Sequence, residues 1–191
     1  LWFGWFGFNG FSQLAMGTFD DVNAISKIAV NTHLAGAAGT VTGAALTRLL
    51  GGKTDIVMML NGALAGLVAI TAEPLTPGPI TAMVIGSIGA VIMYYGTKML
   101  ESFGLDDVVG AIPVHMFAGI FGTLVVPFTN GDTNFGTQFI GMLSVVAFSF
   151  VLSYLAFIAI KATVGLRISK EAEKLGTDKA EVGVTAYSIR D

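Results

Sequence analysis

The sequence predicts an all-α membrane protein, a polytopic bundle of transmembrane helices. Of its 191 residues, 53% are hydrophobic and only 12% are charged, whereas soluble domains carry roughly 25% charged residues. The mean hydropathy is +0.75. Apolar runs recur along the chain at about the 20-residue length that a bilayer requires, and turn-forming segments such as GGKTD and EPLTPGP separate them. Together these observations predict insertion into a membrane.

We predict six spans, at residues 1–18, 23–47, 55–72, 79–100, 107–128 and 137–165. Residues 1–166 therefore form the predicted transmembrane bundle, and residues 167–191 form a polar tail. The chain begins LWFGWFGFNG, without a basic region or a cleavage site, so we interpret this run as part of a helix rather than as a signal peptide.

Basic residues predict the orientation of these spans. The loops at 19–22, 73–78 and 129–136 contain no Lys or Arg, whereas Arg48, Lys53 and Lys98 lie beside two other loops and most of the remaining basic residues follow position 160. Cytoplasmic loops carry the excess of Lys and Arg. The sequence therefore predicts a cytoplasmic carboxyl terminus.

Composition also argues against several functions. A net charge of −3 gives no support to nucleic-acid binding. The chain has no cysteine and only two histidines, and no carboxylate lies near either histidine in sequence, so a disulfide, a metal site or a catalytic site is not predicted. We expect no cofactor and no enzymatic activity, and we expect membrane lipid as a partner.

Glycine pairs predict how the helices pack. Gly39 and Gly43 form a GxxxG motif, as do Gly62 and Gly66. Small residues at this spacing allow membrane helices to approach closely, so we interpret these motifs as packing surfaces.

His115 is the principal candidate for function. It lies eight residues beyond Asp107, a rise of roughly 12 Å that places it near the middle of the membrane. A stripe of small residues shares its predicted helical face and directs the ring into the bundle: Ala111, Ala118, Gly119 and Gly122. An ionisable residue at this depth is a functional candidate, and the alternative is a hydrogen bond to a neighbouring helix.

Trp5, Phe8 and Ser12 form a second candidate group, because their spacing of i, i+3 and i+7 places them on one helical face. A hydroxyl above two aromatic rings would suit the path of a small cation. The alternative is an interfacial belt of aromatic residues. His33 also falls at mid-depth, and we interpret it as a structural hydrogen-bonding residue, with Asn31 or a neighbouring helix as its partner, rather than as a pore residue.

Four segments resemble one family in order and spacing: GWFGFNGFS at 4–12, NGALAGLVAIT at 61–71, DDVVGAIPVHMFAGIFGT at 106–123, and GLRISKEAEKLGTDKAE with the later Ala-Tyr at 165–187. They are similar to the ammonium transporters of the Amt/Mep/Rh superfamily, on the Amt side. The resemblance covers essentially the whole chain. It implies a homotrimer with a pore in each protomer, and an eleven-span fold of which these would be spans six to eleven.

The resemblance also implies roles for individual residues. Phe8 matches the inner phenylalanine of the periplasmic gate, Ser12 the serine of the outer vestibule that recruits ammonium, and Trp5 the tryptophan beside the pore. His115 matches the second of two pore histidines, whereas His33 matches no pore position. The implied activity is passage of ammonium through the cell membrane, with deprotonation and transfer as ammonia.

The tail raises the question of regulation. Asp178 and Tyr187 match positions of the family's carboxyl-terminal regulatory motif, which implies a PII-type signal protein as a partner. The family's glycine after the pore histidine is Met116 here, however, and its Glu-His-Gly-Glu motif reads Glu-Val-Gly-Val at 181–184, which weakens the prediction for the tail.

Two alternatives to an ammonium transporter of this family stay open at this point. One is an ammonium sensor of the same fold that signals instead of conducting. The other is an unrelated secondary transporter with broken helices, which predicts carboxylates near the middle of the membrane.

Overall fold

The computed structural model describes residues 1–186, and these are helical, with no strand among them. The first six helices correspond in order to the predicted spans: α1 Trp2–Phe11, α2 Phe19–Gly51, α3 Ile56–Thr71, α4 Pro79–Ser102, α5 Ala118–Val125 and α6 Phe135–Thr163. A π-helix, Ile112–Phe117, leads directly into α5, and a 3₁₀ turn, Val126–Phe128, follows it. A short helix α7, Lys170–Leu175, and a second π-helical turn, Asp178–Val182, lie in the tail.

Capping side chains and a proline define where these helices begin. Thr18 and Asp21 form a reciprocal capping box at the start of α2, which satisfies backbone N–H groups that have no partner within the helix. The Asp55 carboxylate accepts the N–H of Met58 at the start of α3, and Pro79 occupies the first turn of α4, where its missing N–H is not needed.

The predicted first span, 1–18, is too long. Helix α1 ends at Phe11, and Leu14 adopts a left-handed conformation with φ of 62°. A non-glycine residue with positive φ does not continue a right-handed helix. The turn that follows leads to the cap of α2 at Thr18.

Helices α2, α3 and α4 form the core of the bundle through glycine contacts. A Cβ added to Gly62 would lie 2.6 Å from the carbonyl oxygen of Gly39, and one added to Gly43 would lie 2.8 Å from that of Met58. Gly86 of α4 makes a similar contact with the backbone of Ala35. Backbones this close leave no room for side chains, so the predicted packing role of the GxxxG motifs is confirmed.

The remaining packing extends this core to the π-helix. Val114 and Ala118 are buried in one apolar cluster with Ala65 of α3 and Met93 of α4. Helix α1 contacts α2 and α3. Helix α3 is therefore flanked by α1 and by the segment that carries His115.

Two of the described helices are long and apolar enough to cross a membrane by length and composition, Pro79–Ser102 and Phe135–Thr163. Two shorter apolar helical segments are Ile56–Thr71 and Ile112–Phe128. The chain divides into two compact units, Leu1–Leu143 and a second one from Ser144 onward. The sequence-based boundary at residue 166 stays a prediction.

Candidate functional site

The segment before His115 is held by side chains that replace missing backbone hydrogen bonds. The Asp107 carboxylate accepts the N–H groups of Ala111 at 2.9 Å and Ile112 at 2.8 Å. The Val109 carbonyl lies before the first helical hydrogen bond, which runs from the Val114 N–H to the Gly110 carbonyl. The Asn61 side chain of α3 supplies its donor, since Asn61 Nδ2 lies 3.0 Å from the Val109 oxygen.

His115 itself lies in the π-helix, where the hydrogen-bond register widens. The Ala118 N–H donates to the carbonyl of Pro113, five residues earlier, and also to that of His115. A π-helix places more residues in each turn than an α-helix and is frequent at functional sites. The helical periodicity assumed from the sequence therefore does not hold across residues 112–117.

This change of register corrects the prediction that Ala118 and Gly122 share the helical face of His115. That the ring points into the bundle of the intact protein stays a prediction. Ala118 and Gly122 are buried against α3, whereas His115 and Ala111 are exposed on the surface of the chain. The imidazole is thus accessible, while its neighbours Pro113 and Val114 are buried. A neutral imidazole offers one donor and one acceptor to a small polar molecule.

Trp5 of α1 is partly buried against α3. Its indole Nε1 donates to the Thr71 hydroxyl oxygen at 2.7 Å, and that hydroxyl donates to the Leu67 carbonyl. Trp5 therefore has a structural contact that its sequence position did not predict.

Phe8 and Ser12 lie at the exposed side of the same helix. The Phe8 side chain is 64% exposed, and the Ser12 hydroxyl donates to the Phe8 carbonyl at 2.8 Å. Both line a shallow, open groove with Gly4, Gly7, Phe11 and Leu14. The predicted common face is only partly correct, because Trp5 packs toward α3 while Phe8 and Ser12 stay accessible.

His33 does not form the hydrogen bond to Asn31 that the sequence suggested. The Asn31 Nδ2 instead donates to the carbonyls of Pro74 at 2.9 Å and Pro77 at 2.8 Å. The exposed His33 ring lies against the rings of Trp2 and Phe6, with centroid distances of 5.5 and 6.2 Å. Its partners are therefore aromatic rings of α1.

In the tail, Asp178 organises a local turn. Its carboxylate accepts the N–H of Ala186 at 2.8 Å. This bond, followed by one from the Lys179 N–H, lowers the pKa of the Asp178 carboxyl below its ordinary value of 3.8. Tyr187 lies outside the described residues.

Sequence reasoning missed two asparagines. Asn9, 1% exposed, donates from Nδ2 to the Thr32 hydroxyl oxygen at 3.0 Å, and an asparagine within an apolar run was a signal that it has a buried partner. Asn61 lies in an apolar run as well, but its partner Val109, 48 positions along the chain, could not be predicted.

The chain matches the profile described as Ammonium Transporter Family over residues 1–187. It belongs to the ammonium transporter family. One relative of this chain, Ammonium transporter Amt2 of Archaeoglobus fulgidus, is 42% identical to it over 98% of the chain and 43% of the relative. The Putative ammonium transporter sll1017 of Synechocystis is 36% identical over 99% of the chain and 44% of the relative.

Solved structures agree with this family assignment. A structure described as Sensor Amt Protein aligns with a TM-score of 0.84 and 32% identity, over 95% of the chain and 46% of the other protein. Candida albicans Mep2 aligns with a TM-score of 0.80 and 26% identity, over 96% and 44%. The chain thus spans less than half the length of these relatives, and the predicted polytopic helical membrane fold is confirmed as part of the family's bundle.

Proposed function

We propose that the intact protein moves ammonium across a membrane, with His115 on the path. Ammonium is recruited at an outer vestibule that includes Ser12, is deprotonated near Phe8, and passes as ammonia along an apolar pore beside the histidine. The observation that supports this most is the accessible His115 imidazole in a π-helical turn of an otherwise apolar helix.

The chemistry of such a path explains selection against potassium. An apolar pore opposes any bare ion by several kcal/mol or more, since charge is removed from water without compensation. Ammonium avoids this cost by releasing a proton, whereas potassium has none to release. A histidine ring that is neutral can exchange hydrogen bonds with ammonia and relay the proton.

The family and the charge pattern support a proposal for the oligomeric state, membrane and orientation of the protein. We propose a homotrimer in the inner or plasma membrane with a cytoplasmic carboxyl terminus. A PII-type signal protein is the proposed cytoplasmic partner, with the tail around Asp178 and Tyr187 as the segment it would influence. Basic residues beyond position 160 support the orientation.

Reconstitution tests the transport proposal. The intact protein in liposomes should give ammonium- or methylammonium-dependent currents or uptake and exclude potassium under the same gradient. A folded protein that gives neither flux nor current contradicts transport.

An ammonium sensor is the second candidate, because the similarity to Sensor Amt Protein is high, with a TM-score of 0.84. In that case the same vestibule would bind ammonium and change the tail without net flux. Ammonium binding by the folded protein, measured calorimetrically, together with the absence of flux, would favour the sensor.

A further inference from the structure

The link between α3 and the turn that precedes His115 carries a further inference. We propose that Asn61 is a positioning residue for His115. By holding the backbone of Val109, it fixes where the helix that carries His115 begins. The proposal rests on the proposed function of His115, and Asn61 itself does not contact the transported molecule in it.

The first support is a specific vacancy in the hydrogen-bond pattern. The first helical hydrogen bond of this segment runs from the Val114 N–H to the Gly110 carbonyl at 3.1 Å. The Val109 carbonyl lies just before the helix, and Pro113 has no N–H to offer it. Asn61 Nδ2 of α3 donates to this carbonyl at 3.0 Å.

The second support is the shape of the turn against Asn61. Gly110 has φ of 72°, and a Cβ at this position would lie 2.7 Å from Asn61 Nδ2. Glycine is therefore required both for the left-handed conformation and for the approach of the amide. Asp107 fixes the other side of the turn by accepting the N–H groups of Ala111 and Ile112.

The consequence reaches His115 within one turn. The Val114 N–H bonds to the Gly110 carbonyl at 3.1 Å, and the Val114 side chain is 1% exposed against α3 and α4. The position of Gly110 thus sets Val114 on the buried side and His115 on the accessible side. Without the Asn61 contact, the carbonyl of Val109 loses its side-chain donor and the π-helical register loses its fixed start.

The test is a double-mutant cycle between positions 61 and 110 in the intact protein. Asn61→Leu removes the donor, and Gly110→Ala disturbs the left-handed turn that the Asn61 amide contacts. Asn61→Ala serves as a second variant if the leucine variant is poorly produced. Asn31→Leu is the matched control, because Asn31 also donates to backbone carbonyls, those of Pro74 and Pro77, away from the His115 segment.

Two readouts are needed, ammonium flux per folded molecule and amide hydrogen exchange of residues 114–118. We expect Asn61→Leu to lower flux about tenfold, since small misplacements of an active group have effects of this order or larger, and to accelerate exchange in that segment. Gly110→Ala should have similar effects, and Asn61→Leu should add little to them when the two are combined. Asn31→Leu should change neither, even where it lowers thermal stability.

The proposal is overturned if Asn61→Leu leaves exchange at residues 114–118 unchanged, or if its effects on flux and exchange are the same with and without Gly110→Ala. A wild-type protein that does not conduct ammonium would instead contradict the proposed function, and the exchange measurement would still decide the role of Asn61.

Discussion

At the scale of single residues, His115 decides between a pore and a structural role. We expect His115→Asp in the intact protein to admit potassium, or to convert ammonium flux into direct ionic flux, because a carboxylate that stays charged lowers the barrier for a permanent cation. His33→Asn is the matched control, since the His33 ring contacts Trp2 and Phe6, and it should alter stability more than selectivity. Liposome fluxes of both ions measure this. Unchanged fluxes in a well-produced His115→Asp protein would make the histidine structural.

Trp5 permits a second test at this scale. Trp5→Phe keeps an aromatic ring but removes the indole donor to Thr71, so we expect a loss of about 1 kcal/mol in unfolding free energy. Trp2→Phe is the control, because it removes the same ring volume together with a buried Nε1 that has no hydrogen-bond partner among the described residues, so the Trp5 variant should lose about 1 kcal/mol more. Unfolding in detergent compares the two variants, and equal losses would show that the bond to Thr71 does not stabilise the fold.

At the scale of secondary-structure elements, the contact between α2 and α3 depends on the absence of side chains. A Cβ at Gly39 would meet the carbonyl of Gly62, and a backbone carbonyl cannot move aside as a flexible side chain can. We expect Gly39→Ala to destabilise the protein by about 1–3 kcal/mol, the usual range for overpacking. Gly141→Ala in α6 meets open space and should be neutral or stabilising. Thermal unfolding of the intact protein measures both variants, and equal shifts in melting temperature would contradict this expectation.

The tail turn gives a pH prediction. The Ala186 N–H lowers the pKa of Asp178 below 3.8, so the carboxylate stabilises this turn at pH values above its unfolded pKa, and the contribution is lost as the pH falls through the lower folded pKa. We expect the carboxyl carbon of Asp178 to titrate below the ordinary value in an NMR experiment. A midpoint at or above that value would show that the turn does not form.

At the scale of the whole molecule, the chain should need the rest of a transporter to function. His115 is exposed on this chain, and a polar ring facing lipid has no hydrogen-bond partner there. We expect the 191-residue chain, produced alone in cells that lack ammonium transport, to give no specific methylammonium uptake although immunoblots detect it in the membrane. Specific uptake above that of empty-vector cells would contradict this.

Much of this architecture could be predicted from the sequence, because apolar length, turn residues and small-residue spacing are local signals. The predicted spans and the glycine packing follow from them. That Ala118 and Gly122 lie on another face than His115 could not be predicted, since Pro113 leads into a π-helix whose register a regular period does not describe. The partners of Trp5 and His33 were also unpredictable, because Thr71 and the rings of Trp2 and Phe6 come from other helices.

The mutual contacts of α2, α3 and α4 have a consequence for the order of assembly during synthesis. These three helices leave the ribosome consecutively, and each can pair with its predecessor as soon as both have entered the lipid, as independently stable helices do before they associate. The segment from Ile112 to Val125 emerges later and contacts α3 and α4, which are by then in place. A pulse-labelled nascent chain arrested after α4 should therefore already contain the glycine contacts, whereas the surface that receives Val114 would still be vacant.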